Sequence, residues 1–421
     1  MLLRRLRGVS LSFILLVTTI CMLAACGNTT STSSTGNAPQ TIKIGSLHPL
    51  TGAFAGDGKQ MDQAVQQAIN DVNAAGGIKS MNGAKLAIDS ADTQGKPDVA
   101  QSEAQRLIND KVAALVGTYQ SAATAGVART AERAQVPLVI DVTAASNILT
   151  QGYTYTFRLQ PNATVMGTDG AQYLKQLADT SGKPVKTIAY IHEQSEFGTS
   201  VFTAFKAEAE KEGLQVVKEI KYNAVTASDL TGELTQIKQA NPDILAVTGY
   251  YKDGLLLAKN AAAVTPNVKA IYGVADGAFD LPQFPTDAGK DGSYYFSSNY
   301  HFDAASSDAS KVRDAFKAKT GQEMRTPAVF SYASVMVIAD ALERAKSTDA
   351  KALRDAIAQT TLNTSIFPFS GPIQFDGKGE NKSAQPILMQ VQSGKVVQVY
   401  PQKYAQAKPI YPATPWSGGS K

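Results

Sequence analysis

Short apolar runs typical of buried strands alternate with stretches of helical periodicity through most of this 421-residue chain. The first series predicts strands at 41–47, 86–88, 112–116 and 136–142. Between them, apolar residues recur at helical spacing within 61–72, 99–108 and 122–134. The last of these strands is apolar apart from Asp141, which is typical of a strand buried on both faces.

The alternation starts again after a break near 158–163. The second series predicts strands at 187–191, 214–220, 244–247 and 268–272, with helices at 199–212, 228–239 and 254–263. A long helix is predicted at 329–345, and late strands at 373–375 and 386–392. Repeated strand and helix units form parallel sheets covered by helices, so two series predict two α/β lobes. Because such sheets bind ligands at the carboxyl ends of their strands, we expect a binding cleft between the lobes.

The amino-terminal segment, residues 1–25, has the pattern of a secretory signal. Three arginines precede a mostly apolar run at 9–25. The run ends in Leu-Ala-Ala-Cys-Gly, which is similar to the lipobox of bacterial lipoproteins and makes Cys26 the expected site of lipid attachment. The alternatives are an ordinary signal peptide and an uncleaved anchor. Residues 26–40 are rich in Ser, Thr, Gly and Asn, so we predict a flexible tether.

Composition and missing motifs exclude several classes of function. Lys and Arg number 40 against 36 Asp and Glu, and three of the positive charges lie in the signal segment. The remaining body is nearly neutral, which argues against nucleic acid as a partner. The only cysteines are Cys21 and Cys26, so we expect no disulfide in the mature fold. The sequence contains no HExxH, paired-Cys, GxSxG, P-loop or GxGxxG motif, so we expect no metal, no cofactor and no enzymatic activity.

Several stretches of the body resemble the leucine/isoleucine/valine-binding proteins, the amino-acid receptors of ABC importers. The stretches that carry the resemblance are 44–52, 58–78, 89–97, 116–124 and 196–198. The resemblance implies an α/β fold of the type I periplasmic binding protein class, in which two doubly wound parallel-sheet lobes are joined by three crossing segments. It implies a first lobe at 41–160 plus 299–370 and a second at 161–298 plus 371–405, followed by a tail at 406–421.

The resemblance also implies which first-lobe residues bind the ligand. Ser121, at the start of a predicted helix, is expected to meet the α-carboxylate with the amides of its helix turn, although by itself it could be a plain helix cap. The loop formed by Thr143, Ala144, Ala145 and Ser146 is expected to meet the amino and carboxylate groups. The family's hydroxyl residue falls on Ala145 here, and a shift of one residue would give that hydroxyl to Ser146.

From the second lobe, the resemblance implies Phe197, Tyr250 and Asp276. Phe197 covers the ligand or simply packs, because without a hydroxyl it cannot donate a hydrogen bond. Tyr250 faces the cleft, and a slip of one residue would put Tyr251 there. Asp276 pairs with the α-ammonium, although Asp-Gly is also a common turn. Loop residues of the first lobe are further candidates for side-chain selectivity, together with one residue of the long helix: Phe54, Asp57, Tyr119 and Tyr332.

We therefore expect a lipid-anchored receptor at the extracellular face of the cytoplasmic membrane or in the periplasm. Its expected ligand is a small amino acid, branched-chain or otherwise apolar, bound by closure of the hinge. Its expected partners are the permease subunits of an ABC importer and the membrane that holds the lipid. The same fold binding an amide, urea or an aromatic acid, or acting as a ligand sensor, is the alternative.

Overall fold

A computed structural model describes residues 41–419 of the chain. The signal predicted at 1–25, the tether at 26–40 and the lipid site at Cys26 lie outside these residues. No helix within 41–419 combines the length and the apolar character that a membrane crossing requires.

The first series of strands forms a parallel five-stranded sheet. Its strands are β1 (Thr41–His48), β2 (Lys85–Asp92), β3 (Ala114–Gly117), β4 (Leu138–Ile140) and β5 (Thr156–Arg158), in the order β2-β1-β3-β4-β5. The connecting helices are α1 (Ala55–Ala74), α2 (Pro97–Asn109) and α3 (Ser121–Ala134). Helix α1 buries Met61, Val65 and Ile69, the face that its periodicity predicts.

The second series builds a separate sheet with strands β6 (Thr187–Glu193), β7 (Gln215–Tyr222), β8 (Ile244–Thr248), β9 (Ala270–Val274) and β10 (Phe296–Asn299). Its helices are α4 (Ala163–Ser181), α5 (Glu196–Lys211), α6 (Thr231–Ala240), α7 (Tyr251–Val264) and α8 (Phe284–Ala288). These five strands pair in parallel, as the alternation of strands and helices predicts.

The last part of the chain returns to the first sheet and then completes the second. Helices α9 (Ser307–Thr320), α10 (Thr326–Ala345) and α11 (Ala350–Ala358) follow β10, and α10 packs along α1. Strands β11 (Ile387–Gln392) and β12 (Lys395–Tyr400) then join β10 in antiparallel fashion, which gives the order β12-β11-β10-β9-β8-β6-β7. The strand predicted at 373–375 is wrong, because Ile373 and Phe375 make only isolated bridges.

We call the first sheet with α1–α3 and α9–α11 the first half, and the second sheet with α4–α8 the second half. The chain passes between the halves three times, after β5, after β10 and after α11. The first and third crossings are hydrogen-bonded to each other: the Arg158 amide donates to the Gly379 carbonyl at 2.8 Å, and the Asn381 amide donates to the Arg158 carbonyl at 3.1 Å. Two doubly wound α/β halves thus share a hinge of paired segments.

The carboxyl-terminal segment packs on the second half. The Ala413 amide donates to the Lys269 carbonyl at 2.9 Å, and Trp416 lies partly buried against the core. The Gln390 side chain of β11 exchanges hydrogen bonds with the backbone of Ile410 at 2.8 Å in both directions. The tail, which sequence reasoning leaves unplaced, therefore contributes to this half.

Candidate ligand-binding site

Loops that follow the carboxyl ends of strands from both sheets meet around a small cavity of about 30 Å³. The first half lines it with Tyr119, Ser121, Val142 and Ala144, and the second half with Phe197, Gly249, Tyr250, Ala275 and Gly277. Parallel strands end at the same edge of a sheet, so two facing sheets bring their loops to one place. The cavity therefore lies where the sequence predicts a cleft.

Ser121 is the first residue of α3 and lies against the loop that follows β4. Its side chain is buried, and its Oγ accepts a hydrogen bond from the Ala145 amide at 3.2 Å. Gln120 precedes it in extended conformation as the N-cap, with no side-chain cap bond, so Ser121 is not the helix cap. Helix starts carry free amides and a partial positive charge, so this wall of the cavity favours an anionic group.

We call the loop at 143–146, which follows β4, the ligand loop. The Thr143 hydroxyl donates to the Thr118 carbonyl at 2.6 Å. The Ser146 hydroxyl pairs with the Thr164 hydroxyl at 2.8 Å and accepts from the Thr164 amide at 3.0 Å. Ala144 lines the cavity. The Ser146 hydroxyl, which a shift of one residue would assign to the ligand, is thus engaged within the protein, as is the hydroxyl of Thr143. Ligand contacts through this loop stay a prediction.

Four aromatic rings from the two halves form one group, the aromatic cluster, made of Phe54, Tyr119, Phe197 and Tyr250. The Tyr250 ring centroid lies 4.8 Å from that of Phe54, 5.6 Å from that of Tyr119 and 5.3 Å from that of Phe197. Rings at such separations pack favourably in tilted arrangements like these. The structure thus brings together four of the five aromatic candidates, and their contacts with a ligand stay a prediction.

A second contact between the halves adjoins the aromatic cluster through Tyr119. The Tyr119 hydroxyl and the Arg325 guanidinium donate to Asp57, at 3.0 and 2.8 Å. The Arg325 guanidinium lies 4.3 Å above the ring of Tyr251, which belongs to the second half. We call Asp57, Arg325 and Tyr251 the clasp. Burial raises the pKa of the Tyr119 phenol well above its usual range, which keeps this hydroxyl a donor.

Further hydrogen bonds accompany the clasp. The Gln283 side-chain amide of the second half donates to the Glu323 carbonyl of the first at 2.8 Å, and Asn147 donates to Glu196 across the halves. Sequence reasoning missed Arg325, because it lies more than 260 residues from its partner Asp57 and carries no motif.

Asp276 lies in the loop after β9 and is fully buried. Its Oδ1 accepts from the amides of Ala278 and Phe279, at 2.9 and 3.2 Å, as in an Asp turn. Its Oδ2 is buried without a hydrogen-bond partner among the described residues. Burial raises the pKa of this carboxyl well above its usual range. The neighbours Ala275 and Gly277 line the cavity, whereas Asp276 does not, so the contact with an ammonium group stays a prediction that depends on Oδ2.

One further candidate lies apart from the cavity. Tyr332 donates to Asp71 at 3.0 Å and lines a surface groove of the first half. Within 41–419, no group of three or more His, Cys, Asp or Glu side chains is arranged to hold a metal ion.

The sequence of this chain matches one protein family and is similar to curated proteins of known name. Residues 41–395 match the model of the periplasmic binding proteins. The chain is 29% identical over 395 residues to a Leu/Ile/Val-binding protein homolog 8 of Brucella suis, an alignment that covers 91% of this chain and 96% of that protein.

Solved structures share the fold. The branched-chain amino acid transporter substrate binding protein LivJ from Streptococcus pneumoniae, in complex with isoleucine, has a TM-score of 0.71 at 23% identity, with 85% of this chain and all of that chain covered. A solute binding protein of an ABC transporter from Rhodopseudomonas palustris, in complex with 3,4-dihydroxybenzoic acid, has a TM-score of 0.73 at 22% identity, with 85% and 95% covered.

Proposed function

The chain belongs to the periplasmic binding protein family, as its resemblance to the Leu/Ile/Val-binding proteins predicts, and we propose that it captures a small apolar amino acid for an ABC importer. A solute-binding role follows from the family. The amino acid is our inference, and it is supported by the names of the Leu/Ile/Val-binding relatives and by the isoleucine complex of a protein with the same fold.

The observation that carries the proposal is the division of the cavity between apolar and polar walls. Ser121, at the start of α3, suits a carboxylate, and the rings of Phe197 and Tyr250 suit an apolar side chain. The buried carboxylate of Asp276, with one unpaired oxygen, is the candidate partner of an ammonium group. Carboxylate, ammonium and apolar side chain are the three parts of the proposed ligand.

We propose that the halves correspond to two lobes, 41–160 plus 299–370 and 161–298 plus 371–405, which part to admit the ligand. The cavity of about 30 Å³ is far smaller than the several hundred Å³ of typical ligand pockets. The aromatic cluster must therefore separate before a ligand enters, and the three crossing segments are where the chain would bend. Binding and closure are sufficient for this role, and no chemical step is part of it.

An aromatic acid is the second candidate ligand. A relative of the same fold was solved with 3,4-dihydroxybenzoic acid, and the aromatic cluster offers ring faces on which such a ligand would stack. An aromatic acid has no ammonium group, so its binding would not require the charge of Asp276.

We further propose that Cys26 carries a lipid that holds the receptor at the outer face of the cytoplasmic membrane, where permease subunits would receive the closed form. Loss of labelled-ligand uptake in cells that lack the gene would support an importer receptor. Unchanged uptake with a lost transcriptional response to the ligand would indicate a sensor.

The test of ligand class is a thermal-shift screen of the full chain, stripped of bound ligand by unfolding and refolding. A ligand at about a hundred times its dissociation constant adds about 2.7 kcal/mol to the free energy of unfolding, which is readily seen as a raised midpoint. We expect a shift with leucine, isoleucine or valine. A shift with an aromatic acid, an amide or urea, and none with any amino acid, would contradict the proposed ligand.

A further inference from the structure

Arg158, the last residue of β5, is fully buried beside the ligand loop. Its Nη1 donates to the Ala144 carbonyl at 2.9 Å, and its Nη2 donates to the Ala145 carbonyl at 2.8 Å. A single guanidinium thus holds two consecutive carbonyls of the loop that lines the cavity.

Stability alone is a poor explanation for this arrangement. The nearest carboxylate oxygen, on Glu380, lies 3.6 Å from Nη1, and the Nε makes no hydrogen bond to the described residues. A buried charge is costly, and an apolar side chain of similar volume often serves stability as well or better. The shortest contacts of the Arg158 guanidinium are its two hydrogen bonds to the ligand loop. Loss of the guanidinium should therefore affect that loop most.

The two bonds also help to determine which way the loop faces, together with the Ala163 amide, which donates to the Ala144 carbonyl at 2.7 Å. With both carbonyls turned toward Arg158, the Ala145 amide is left to donate to Ser121 Oγ at 3.2 Å, and Ala144 forms part of the cavity wall. The planar fork of arginine matches two neighbouring carbonyls, whereas the single ammonium of lysine cannot reproduce that geometry. The guanidinium therefore contributes to the orientation of the loop against Ser121, above all through the Ala145 carbonyl.

Arg158 also belongs to the hinge. Its backbone amide and carbonyl are paired with Gly379 and Asn381 of the third crossing segment, and the Asn381 side-chain amide donates to the Leu159 carbonyl at 2.8 Å. The residue that orients the ligand loop is thus fixed at the place where two crossing segments meet.

We propose that Arg158 is a positioning residue for ligand binding: from the hinge, its guanidinium holds the ligand loop in the arrangement that receives the ligand. This inference rests on the proposed function, because it assigns the loop a role in binding. It gives Arg158 no contact with the ligand itself.

The test compares Arg158→Lys in the full chain with Arg344→Lys as a matched control. Arg344 also donates to a backbone carbonyl, that of Ala356 at 2.6 Å, but in the contact between α10 and α11. We expect Arg158→Lys to weaken the binding of leucine, isoleucine and valine by about tenfold or more, measured by calorimetry well below the unfolding midpoint. Arg344→Lys should lower the unfolding midpoint and leave these affinities unchanged. The proposal would be overturned if both variants bound the three amino acids with the affinity of the wild type.

A second variant covers the case in which Arg158→Lys does not fold. The double substitution Arg158→Met with Glu380→Gln removes both charges and leaves neither one buried alone, so we expect it to fold. If the proposal is right, this protein folds and still loses affinity by about tenfold or more. A folded protein with wild-type affinity would show that Arg158 has no positioning role.

Hydrogen exchange separates this proposal from the proposed function. Without ligand, the amides of residues 143–148 should exchange about tenfold or more faster in both Arg158 variants than in the wild type, with no such change in Arg344→Lys. If the wild type binds none of the three amino acids, the proposed ligand is wrong, and this measurement still decides whether Arg158 orders the loop. Unchanged exchange in these amides would overturn the inference.

Discussion

Replacing Tyr251 by leucine should weaken the binding of every ligand by the same factor. Tyr251 lines no part of the cavity, but its ring lies beneath the guanidinium of Arg325 from the other half. If the halves part to admit a ligand, this contact exists only in the closed form. Its loss then removes free energy of closure, and apparent affinity falls for all ligands alike because each depends on the same closure.

The magnitude follows from the burial of the contact. Contacts between a cation and an aromatic face contribute about 0.5–1 kcal/mol when exposed and about 2 kcal/mol when desolvated. The Arg325 side chain is only 13% exposed, which places the clasp toward the upper part of that range. A loss of about 1–2 kcal/mol corresponds to a dissociation constant roughly five- to thirtyfold larger.

The assay is calorimetry with at least two ligands of different side chain, on Tyr251→Leu and on Tyr251→Phe. The tyrosine hydroxyl donates to Asp287 within the second half, and both variants lose that bond. Only leucine also removes the ring face, so phenylalanine should keep nearly the wild-type affinity. An unchanged affinity in Tyr251→Leu, or a loss confined to one ligand, would refute the reasoning.

Three more predictions concern the cavity and its supports. Asp276→Asn keeps the oxygen that accepts the amides of its own turn but removes the charge, so by calorimetry it should abolish amino-acid binding and leave aromatic-acid binding unchanged. Ser121→Ala removes the acceptor of the Ala145 amide and should weaken amino-acid binding by about tenfold, without the loss of fold that circular dichroism would detect. Burial raises the pKa of Asp253 to about 7, so the native state binds a proton that the unfolded state has released. The free energy of unfolding should therefore fall as the pH rises from 3.8 to about 7, and urea titrations of Asp253→Asn should lack this part of the slope.

Sequence reasoning located the elements whose residues are uniformly apolar or strictly periodic. It missed β5 because this three-residue strand ends in Arg158, whose Nη atoms donate to carbonyls that only the folded protein brings near. It missed β10 because Phe-Ser-Ser-Asn has no apolar pattern. There, Ser297 and Asn299 are both satisfied by Asp280, a partner that no local pattern indicates.

The candidate site was predictable to the extent that strand ends determine it. Phe54, Tyr119, Phe197 and Tyr250 follow strands of parallel sheets or begin the next helices, and the fold gathers such positions. Asp57 was a candidate, but its pairing with Arg325 was not predictable, because the two residues are far apart along the chain. The engagement of the Ser146 hydroxyl was equally hidden, since its partner Thr164 lies in the next helix.

The threefold passage of the chain between its halves also governs the order in which they can be completed during synthesis. The first half has all of its strands by residue 158 but lacks α10, which packs along α1, until residue 345. The second half lacks β11 and β12 until residue 400. Neither half is a contiguous stretch of polypeptide, so neither can finish folding while most of the other is still unmade. Such late completion suits a protein that must be threaded across a membrane before it acquires its final shape.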